Sequence, residues 1–413
     1  MHDFDLVVVG AGIVGVSSAL WAQKRGLQVL LCDPNAPGSG TSFGNACTLA
    51  TYAVLPVNTP SVFRDLPKLV FGSESPLSLN FAHALRHPLW MLSFLANCRS
   101  ARSAHIARQL AGIMAHADAG INPLIEDAGA EDLIVERGQM TVWSTKAGAE
   151  ADAGALAFRK AQGIPFEPLG PQEALTMEPG LKLPVHSAVH FKAARSVRDP
   201  QELITRMYRR FIALGGQWRQ AGVDETRAHA EGVEVCVGDD RVNAARVVIA
   251  AGAHSKSVRG SGAERLPLGT ERGYHLLFPE EAHRVSRPVG WAEGGFYAVP
   301  MAQGLRIVGT VEIAALDAPE NQGRLRYLAK MGERMLGPLP EPESQWLGFR
   351  PTMPDSMPVI GQSPQSERII HAFGHQHLGL TLGGITGRIV ADLAEGRQPN
   401  LPIAGFAPDR RFV

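Results

Sequence analysis

The chain has 413 residues, with 40 basic and 40 acidic side chains and 45% hydrophobic residues. Zero net charge gives no electrostatic reason to expect nucleic acid or a strongly anionic membrane as the main partner, and the hydrophobic content excludes a disordered chain. The length supports one large or two interleaved domains, and 44 glycines with 29 prolines point to a turn-rich globular protein.

The first element is an apolar strand, Leu6 to Val9. Gly10-Ala11-Gly12-Ile13-Val14-Gly15 follows, then a helical pattern carrying Val16 and Leu20 to a capping Gly26. Val29 to Cys32 makes a second strand ending on Asp33, so the first 33 residues read as a complete β-α-β unit. The glycines have separate jobs. Gly10 permits a tight turn, Gly12 lets the backbone approach a pyrophosphate, and Gly15 allows close helix-strand packing. The amides of Ile13 and Val14 open a helix whose N-terminus stabilises an anion, and Asp33 is placed to accept hydrogen bonds from a ribose diol. The unit is expected to bind a dinucleotide. After it, Gly40-Thr41-Ser42-Phe43-Gly44-Asn45-Ala46 is dense in amides and small hydroxyls, and no further regular β-α unit follows. That asymmetry favours FAD over a nicotinamide.

Phe81 to Asn97 is the most membrane-like stretch, but Arg86, His87 and Pro88 break it, and Leu89 to Ala96 is too short to span a bilayer. It reads as an internal helix, the alternative being a surface that touches membrane or partner. Residues 99–126 read as a helix, Gln139 to Trp143 as a strand, and Gln201 to Leu214 as a helix opened by Asp199-Pro200. Val233 to Val237 and Val247 to Ala250 are strands, the second running into Ala251-Gly252-Ala253, and strand patterns dominate from His275 to Val311. Arg350, in Gly348-Phe349-Arg350-Pro351, is a cation isolated among apolar residues and costly to bury without an anion. Its guanidinium suits a bidentate grip on a substrate carboxylate, or a salt bridge to an acid such as Asp355. Ile369 to Glu395 reads strand, Gly-rich turn, helix, with Gly374-His375-Gln376-His377-Leu378-Gly379-Leu380-Thr381 forming the turn. The helix end there would favour the negative charge a flavin gains on reduction. Cys32, Cys47, Cys98 and Cys236 are scattered, so neither a disulfide framework nor a metal site is expected. With no basic leader, a cytoplasmic place is expected.

Asp5 to Gly15, Gly40 to Ala46, Glu271-Arg272-Gly273-Tyr274-His275, Gly348 to Pro351 with Pro354-Asp355, and Gly374 to Thr381 occur in one order along the whole chain. In that order they resemble the D-amino-acid dehydrogenase (small-subunit-like) branch of the FAD-dependent D-amino-acid oxidase/glycine oxidase superfamily. The resemblance implies an α/β (α+β) fold of the p-hydroxybenzoate-hydroxylase-like kind. A Rossmann-like FAD-binding domain would comprise 1–50, 185–265 and 346–413, and an antiparallel-sheet substrate domain 51–184 and 266–345. It implies an ADP site at Gly10, Gly12, Gly15 and Asp33, with Ser42, Asn45 and Ala46 along the flavin. Gly379, Leu380 and Thr381 would offer amides near the flavin carbonyl, Val223 would meet the adenine, and Gly252 would border the cofactor. Arg350 would hold the substrate carboxylate. Tyr274 is expected on the substrate face, a packed sheet tyrosine being the alternative; Tyr52 and Tyr297 are further substrate-binding candidates, and His375 a candidate proton acceptor. The chain departs from the pattern at Cys47, where a Gly is usual and a small buried thiol is expected, and at Gln376, which replaces the second Gly of Gly-His-Gly-His.

The activity implied is flavin-dependent oxidative deamination or dehydrogenation of D-amino acids or cyclic D-imino acids, D-proline and D-hydroxyproline types included. Hydride would pass from Cα to flavin N5, leaving an imino acid. The alternatives are sarcosine- or glycine-oxidase-like amine oxidation, or a flavin-carrying subunit of an electron-transfer complex without its own amino-acid activity. The implied partners are the small substrate and an electron acceptor (quinone, electron-transfer protein or oxygen), with peripheral contact to the inner membrane as a variant.

Overall fold

A computed structural model describes residues 2–63 and 77–412. Its first sheet is built on β1 (Phe4–Val9), flanked in parallel by β2 (Val29–Cys32) and by the C-terminal half of β13 (Asp240–Ile249). Beyond β2 lies β10 (Gln217–Arg219), also parallel. β13 divides its other edge. Residues 240–244 pair antiparallel with β12 (Val233–Val237), which pairs with β11 (Val223–Ala228), while 247–249 pair in parallel with β20 (Ser366–Phe373) and, through it, β19 (Val359–Ser363). The central strands are continuous apolar runs because both faces are covered.

One of those covers fixes the site. The helix Ile13–Lys24 packs against the C-terminal helix Gly379–Ala394, which also meets the helix Ala117–Asp127. A Cβ at Gly387 would lie 2.6 Å from the Ser17 carbonyl carbon, one at Gly383 2.9 Å from Ile13 Cγ1, and one at Gly384 2.6 Å from the Gly120 carbonyl carbon. Real Cβ atoms do not come so close, so these glycines let the helices approach backbone to backbone.

The second sheet runs in the order β18 (Ser344–Thr352), β14 (Gly269–Phe278), β17 (Gly304–Ile313), β16 (Phe296–Met301), β15 (Val289–Trp291), β6 (Gln139–Trp143), β8 (Ser187–Phe191) and β7 (Glu167–Leu169). β4 (Leu77–Leu79) adds to β17. A small third sheet joins β3 (Thr48–Leu49), β9 (Arg195–Val197) and β5 (Ile134–Val135). One face of the large sheet buries Leu276, Phe278, Ala298, Leu305 and Ile307 against the helix Gln322–Leu336. The other face turns toward the nucleotide-type domain.

Several expectations are corrected here. The boundaries expected at 51, 185 and 346 cut across the architecture. β8 and β18 belong to the second sheet, whereas the helices Ser100–Met114 and Ala117–Asp127 bury Leu110, Ile113 and Ile121 in the first core. Those two helices, read as one over 99–126, are separated at Ala115-His116. The helix Pro88–Asn97 is not internal: Leu89 is 80% and Leu92 63% exposed. Its polar side turns inward because Ser93 Oγ and Asn97 Nδ2 both donate to the Phe412 carbonyl, each at 2.7 Å. Among the described residues no helix is long and apolar enough to cross a membrane.

Candidate active site

Gly10 adopts φ +104°, and a Cβ there would stand 2.5 Å from the Ala250 carbonyl oxygen, so only glycine fits between β1 and the end of β13. Gly252, at φ +56°, follows on the same edge. The Gly10–Gly15 turn opens the helix Ile13–Lys24, whose first amides have no intrahelical acceptor. Asp33, at the end of β2, accepts from Ala11 N and Asn35 N, both at 2.8 Å, and its own amide donates to Arg219 O. Val223 begins β11 four residues after Arg219. An acid at the strand end, a helix N-terminus and a glycine turn with no room for side chains together match the donors and acceptors of an ADP moiety, so these residues fit FAD.

The loop Gly40–Ala46 is clamped between the two domains. Ser42 Oγ accepts from Ile13 N at 3.0 Å, Asn45 Nδ2 donates to Ser42 O at 2.7 Å, and Thr41 Oγ1 donates to Phe349 O at 2.9 Å. From the sheet side the buried Arg306 donates to Phe43 O (3.0 Å) and Asn45 O (3.1 Å), and lies over the Phe43 ring. His275 reaches Gly44 O at 3.3 Å and stacks on Trp346 with ring centroids 5.1 Å apart. Burial and Arg306 together push the His275 imidazole down to about 3, so it is neutral. Ala46 and Tyr297 both pack on the cluster of Cys47, Val299, Met301 and Val308, and Cys47 sits at φ +58° in the position where the resembled pattern has glycine. The Cys47 thiol is fully buried and pushed up to about 11, which makes it a small packing residue.

β14 splits its motif between two faces. Arg350 on β18 pairs directly with Glu271 on β14, and both face the loop side of the sheet. The Arg350 guanidinium crosses above Gly273, where a Cβ would meet Nη2 at 2.3 Å, and Nη1 donates to Thr310 O at 3.0 Å. That carbonyl is presented by a bulge. Gly309 pairs with Tyr274 and Glu312 with Arg272, so Thr310 and Val311 together oppose Gly273, and Thr310 is held at φ +58°. Such a conformation is strained for a β-branched residue. Burial lowers the Arg350 pKa and Glu271 opposes that shift; burial raises the Glu271 pKa, with Arg350 and Gln376 opposing. Asp355, the other candidate partner for Arg350, is taken by Arg410 at 2.8 Å.

The turn before the C-terminal helix completes the site. Gly379, Leu380 and Thr381 form the first helical turn, with amides free of intrahelical acceptors, and Thr381 Oγ1 accepts from Ala50 N at 2.9 Å. Gln376, at φ +52°, donates from Nε2 to Glu271 Oε1 at 2.8 Å. The surroundings of His377 and the nearby Arg350 cation push its imidazole down to about 4.

The other candidates separate. Tyr274 faces the far side of the sheet, since strand alternation that sends Glu271, Gly273 and His275 inward sends Tyr274 to the helix Gln322–Leu336. Its hydroxyl donates to Glu312 Oε2 at 2.6 Å and accepts from Asn321 N at 3.1 Å, so the structure does not bring it to Arg350. His375 is bound through Nε2 to Thr386 Oγ1 at 2.9 Å, and burial lowers it to about 3. Tyr52 and Tyr297 lie near each other and near Arg159, with Tyr52 stacked on Phe191 at 4.1 Å. Tyr297 shares the Arg350 face of the sheet. The sequence reading assigned no role to Arg306, Thr310 or Glu271. Arg306 carries one signal, a lone cation between Leu305 and Ile307 in an apolar strand. A cavity of about 480 Å³ opens at the Gly269-Thr270 end of β14, walled by His83, His87, Trp90 and Lys256. Neither Glu271 nor Arg350 lines it, though its wall reaches Thr270, the residue before Glu271.

This fold and site define a dinucleotide-binding oxidoreductase whose second sheet carries Arg350, a cation without an ion-pair partner among the described residues, on the face toward the Gly40–Ala46 loop. A family model described as DAO, FAD dependent oxidoreductase, matches residues 5–393, and the chain belongs to that family. Its cofactor is therefore FAD. A protein of Bradyrhizobium diazoefficiens named D-amino-acid oxidase is 32% identical over 423 residues, covering 98% of each chain. In fold, the chain resembles glycine oxidase from Geobacillus kaustophilus (TM-score 0.76, 23% identity, all of both chains). It also resembles L-proline dehydrogenase from P. horikoshii (TM-score 0.73, 17% identity, 98% of this chain and 96% of that one).

Proposed function

We propose that the protein oxidises D-amino acids or cyclic D-imino acids at the Cα–N bond, giving an imino acid. The observation that carries this reading is Arg350: a half-buried guanidinium, with no ion-pair partner within 4.0 Å among the described residues, on the sheet face toward the Gly40–Ala46 loop. A substrate carboxylate is the anion such a site lacks. The relative named D-amino-acid oxidase supports the amine-oxidising class.

FAD, when bound, supplies the hydride acceptor, held by the Gly10–Gly15 turn, Asp33, the Ser42–Ala46 loop and the first turn at Gly379–Thr381. Arg350 anchors the carboxylate and so fixes which Cα face meets the cofactor. Thr310 O keeps the guanidinium from swinging, and the neutral His275 and His377 add no competing positive charge. Tyr297, on the same sheet face, borders the substrate side chain together with Tyr52. We assign His375 to fixing the turn through Thr386 rather than to proton transfer.

Anaerobic mixing of the yellow holoprotein with D- and L-enantiomers tests the proposal. Bleaching by D-amino or D-imino acids and not by their L-forms is expected. Bleaching only by glycine or sarcosine would favour the glycine-oxidase-like reading, and no bleaching by any amino acid would favour a flavin-carrying subunit. Mixing the reduced protein with oxygen, a quinone and an electron-transfer dye then ranks the acceptors. Leu85, Leu89 and Leu92, all more than 60% exposed, are the residues on which a peripheral membrane contact would rest.

A further inference from the structure

Glu271 and Arg350 are opposite charges at directly paired strand positions on one sheet face, yet no ion pair within 4.0 Å joins them among the described residues. Each is held apart by its own partner. Arg350 leans across Gly273 to the Thr310 carbonyl, and Glu271 is held by Gln376 Nε2 at 2.8 Å. Both restraints come at a conformational cost, since Thr310 and Gln376 are non-glycine residues at φ +58° and +52°. Glu271 is 4% exposed, and the one hydrogen bond its carboxylate makes among the described residues is that from Gln376. A buried carboxylate that leaves a neighbouring guanidinium unpaired is poorly compensated. The missing compensation has the form of a molecule carrying an anion and a cationic or N–H-bearing group a few bonds apart.

We propose that Glu271 is the amine-recognition residue of this site. The α-carboxylate of the substrate occupies Arg350, and its ammonium or amine N–H donates to the free capacity of the Glu271 carboxylate. The pair thus selects α-amino and α-imino acids against simple carboxylic acids, and Gln376 is the positioning residue that aims Glu271. The Gln that stands at a usual glycine position of the turn is explained at the same time: it gives up backbone ease for the one side chain that reaches Glu271. The assignment rests on the reading of Arg350 as the carboxylate site.

The test uses two ligands of nearly equal shape that the enzyme cannot oxidise. 2-Aminoisobutyrate has no Cα hydrogen, and trimethylacetate replaces its ammonium by a methyl group. Each is titrated into the FAD-loaded protein and read by the change in the bound flavin's absorption spectrum. Wild type is expected to prefer 2-aminoisobutyrate. Glu271→Gln should raise the dissociation constant for 2-aminoisobutyrate by about 10- to 100-fold, leaving that of trimethylacetate within about twofold. Gln376→Gly should produce the same selective loss, smaller in size, and it carries the test if Glu271→Gln loses FAD or melts early. Equal loss of both ligands would make Glu271 a mere support for Arg350, and loss of neither would remove it from the site; either result overturns the proposal. Arg350→Ala is the separating arm, expected to weaken both ligands. If it weakens neither, the carboxylate-site reading fails, while the Glu271 arm still reports whether amine discrimination resides there.

Discussion

Truncating Arg350 to alanine has a magnitude that follows from its surroundings. The guanidinium is half-buried, one of its N–H groups is committed to Thr310 O at 3.0 Å, and the opposite charge coupled to it among the described residues is Glu271. Removing one partner of a buried, hydrogen-bonded charge pair costs about 2–5 kcal/mol. Because one donor is bound to backbone in either state, the middle of that range applies. Affinity for a carboxylate ligand should then fall by about 100- to 1000-fold. Arg350→Lys keeps the charge and loses the planar fork, so it should fall by about tenfold. The assay is a titration with trimethylacetate followed in the flavin spectrum, alongside kcat/KM for a substrate and a melting curve with FAD content as the control for folding. A dissociation constant within about threefold of wild type, at full FAD content, would refute the reasoning, because a half-buried cation without an ion-pair partner would then take no part in holding the carboxylate.

Tyr274→Phe removes the bonds to Glu312 and Asn321 on the far side of the sheet, so it should lower stability by about 1–3 kcal/mol in urea unfolding and leave KM unchanged; a raised KM would return Tyr274 to the substrate. Gly387→Ala forces a methyl against Ser17 backbone and should destabilise by about 1–3 kcal/mol, read by the same unfolding series. His275 and His375 are both pushed down to about 3 in the folded protein from an ordinary 6.5. Below about pH 6.5 the unfolded chain binds those protons first, so stability should fall as pH drops, each histidine contributing up to about 1.4 kcal/mol per pH unit until its folded pKa is reached. Mutating either to Gln should flatten part of that slope. Thiol labelling of the native protein should be confined to Cys236, since Cys32, Cys47 and Cys98 are buried and pushed up to about 12, 11 and 11; rapid labelling of Cys47, seen by mass spectrometry, would contradict its packing role.

The nucleotide half was legible because its chemistry is local. A strand, a glycine turn, a helix and an acid lie within 33 consecutive residues, and each constraint acts on neighbours in the chain. The roof was legible only as a motif. Glu271-Arg272-Gly273-Tyr274-His275 has polar or aromatic residues at both parities, so hydrophobic alternation could not say which three face the flavin side. Tyr274 was expected inward and the structure turns it to Glu312. Glu271 is set beside Arg350 by strand pairing and held by a turn contact from Gln376, 105 positions away, and neither relation can be read from its neighbours in the chain. The two departures from the resembled pattern, Cys47 and Gln376, were visible as residues, but their shared left-handed backbone was not. The helix at Leu89 was misread because its apolar count outweighed Ser93 and Asn97, whose inward turn depends on the Phe412 carbonyl at the opposite end of the chain.

The glycine seam between the helices Ile13–Lys24 and Gly379–Ala394 sets a limit on how this site can change. Contacts made by backbone have no rotamers, so the spacing between the two helix ends proposed to meet the pyrophosphate and the flavin is a fixed gauge length, insensitive to side-chain replacement elsewhere. Divergence in what the site accepts has to be written on the opposing sheet, where Glu271, Tyr297 and Arg350 are carried on side chains that can be exchanged without moving the cofactor. A designer seeking a new substrate would vary that sheet and leave the seam untouched.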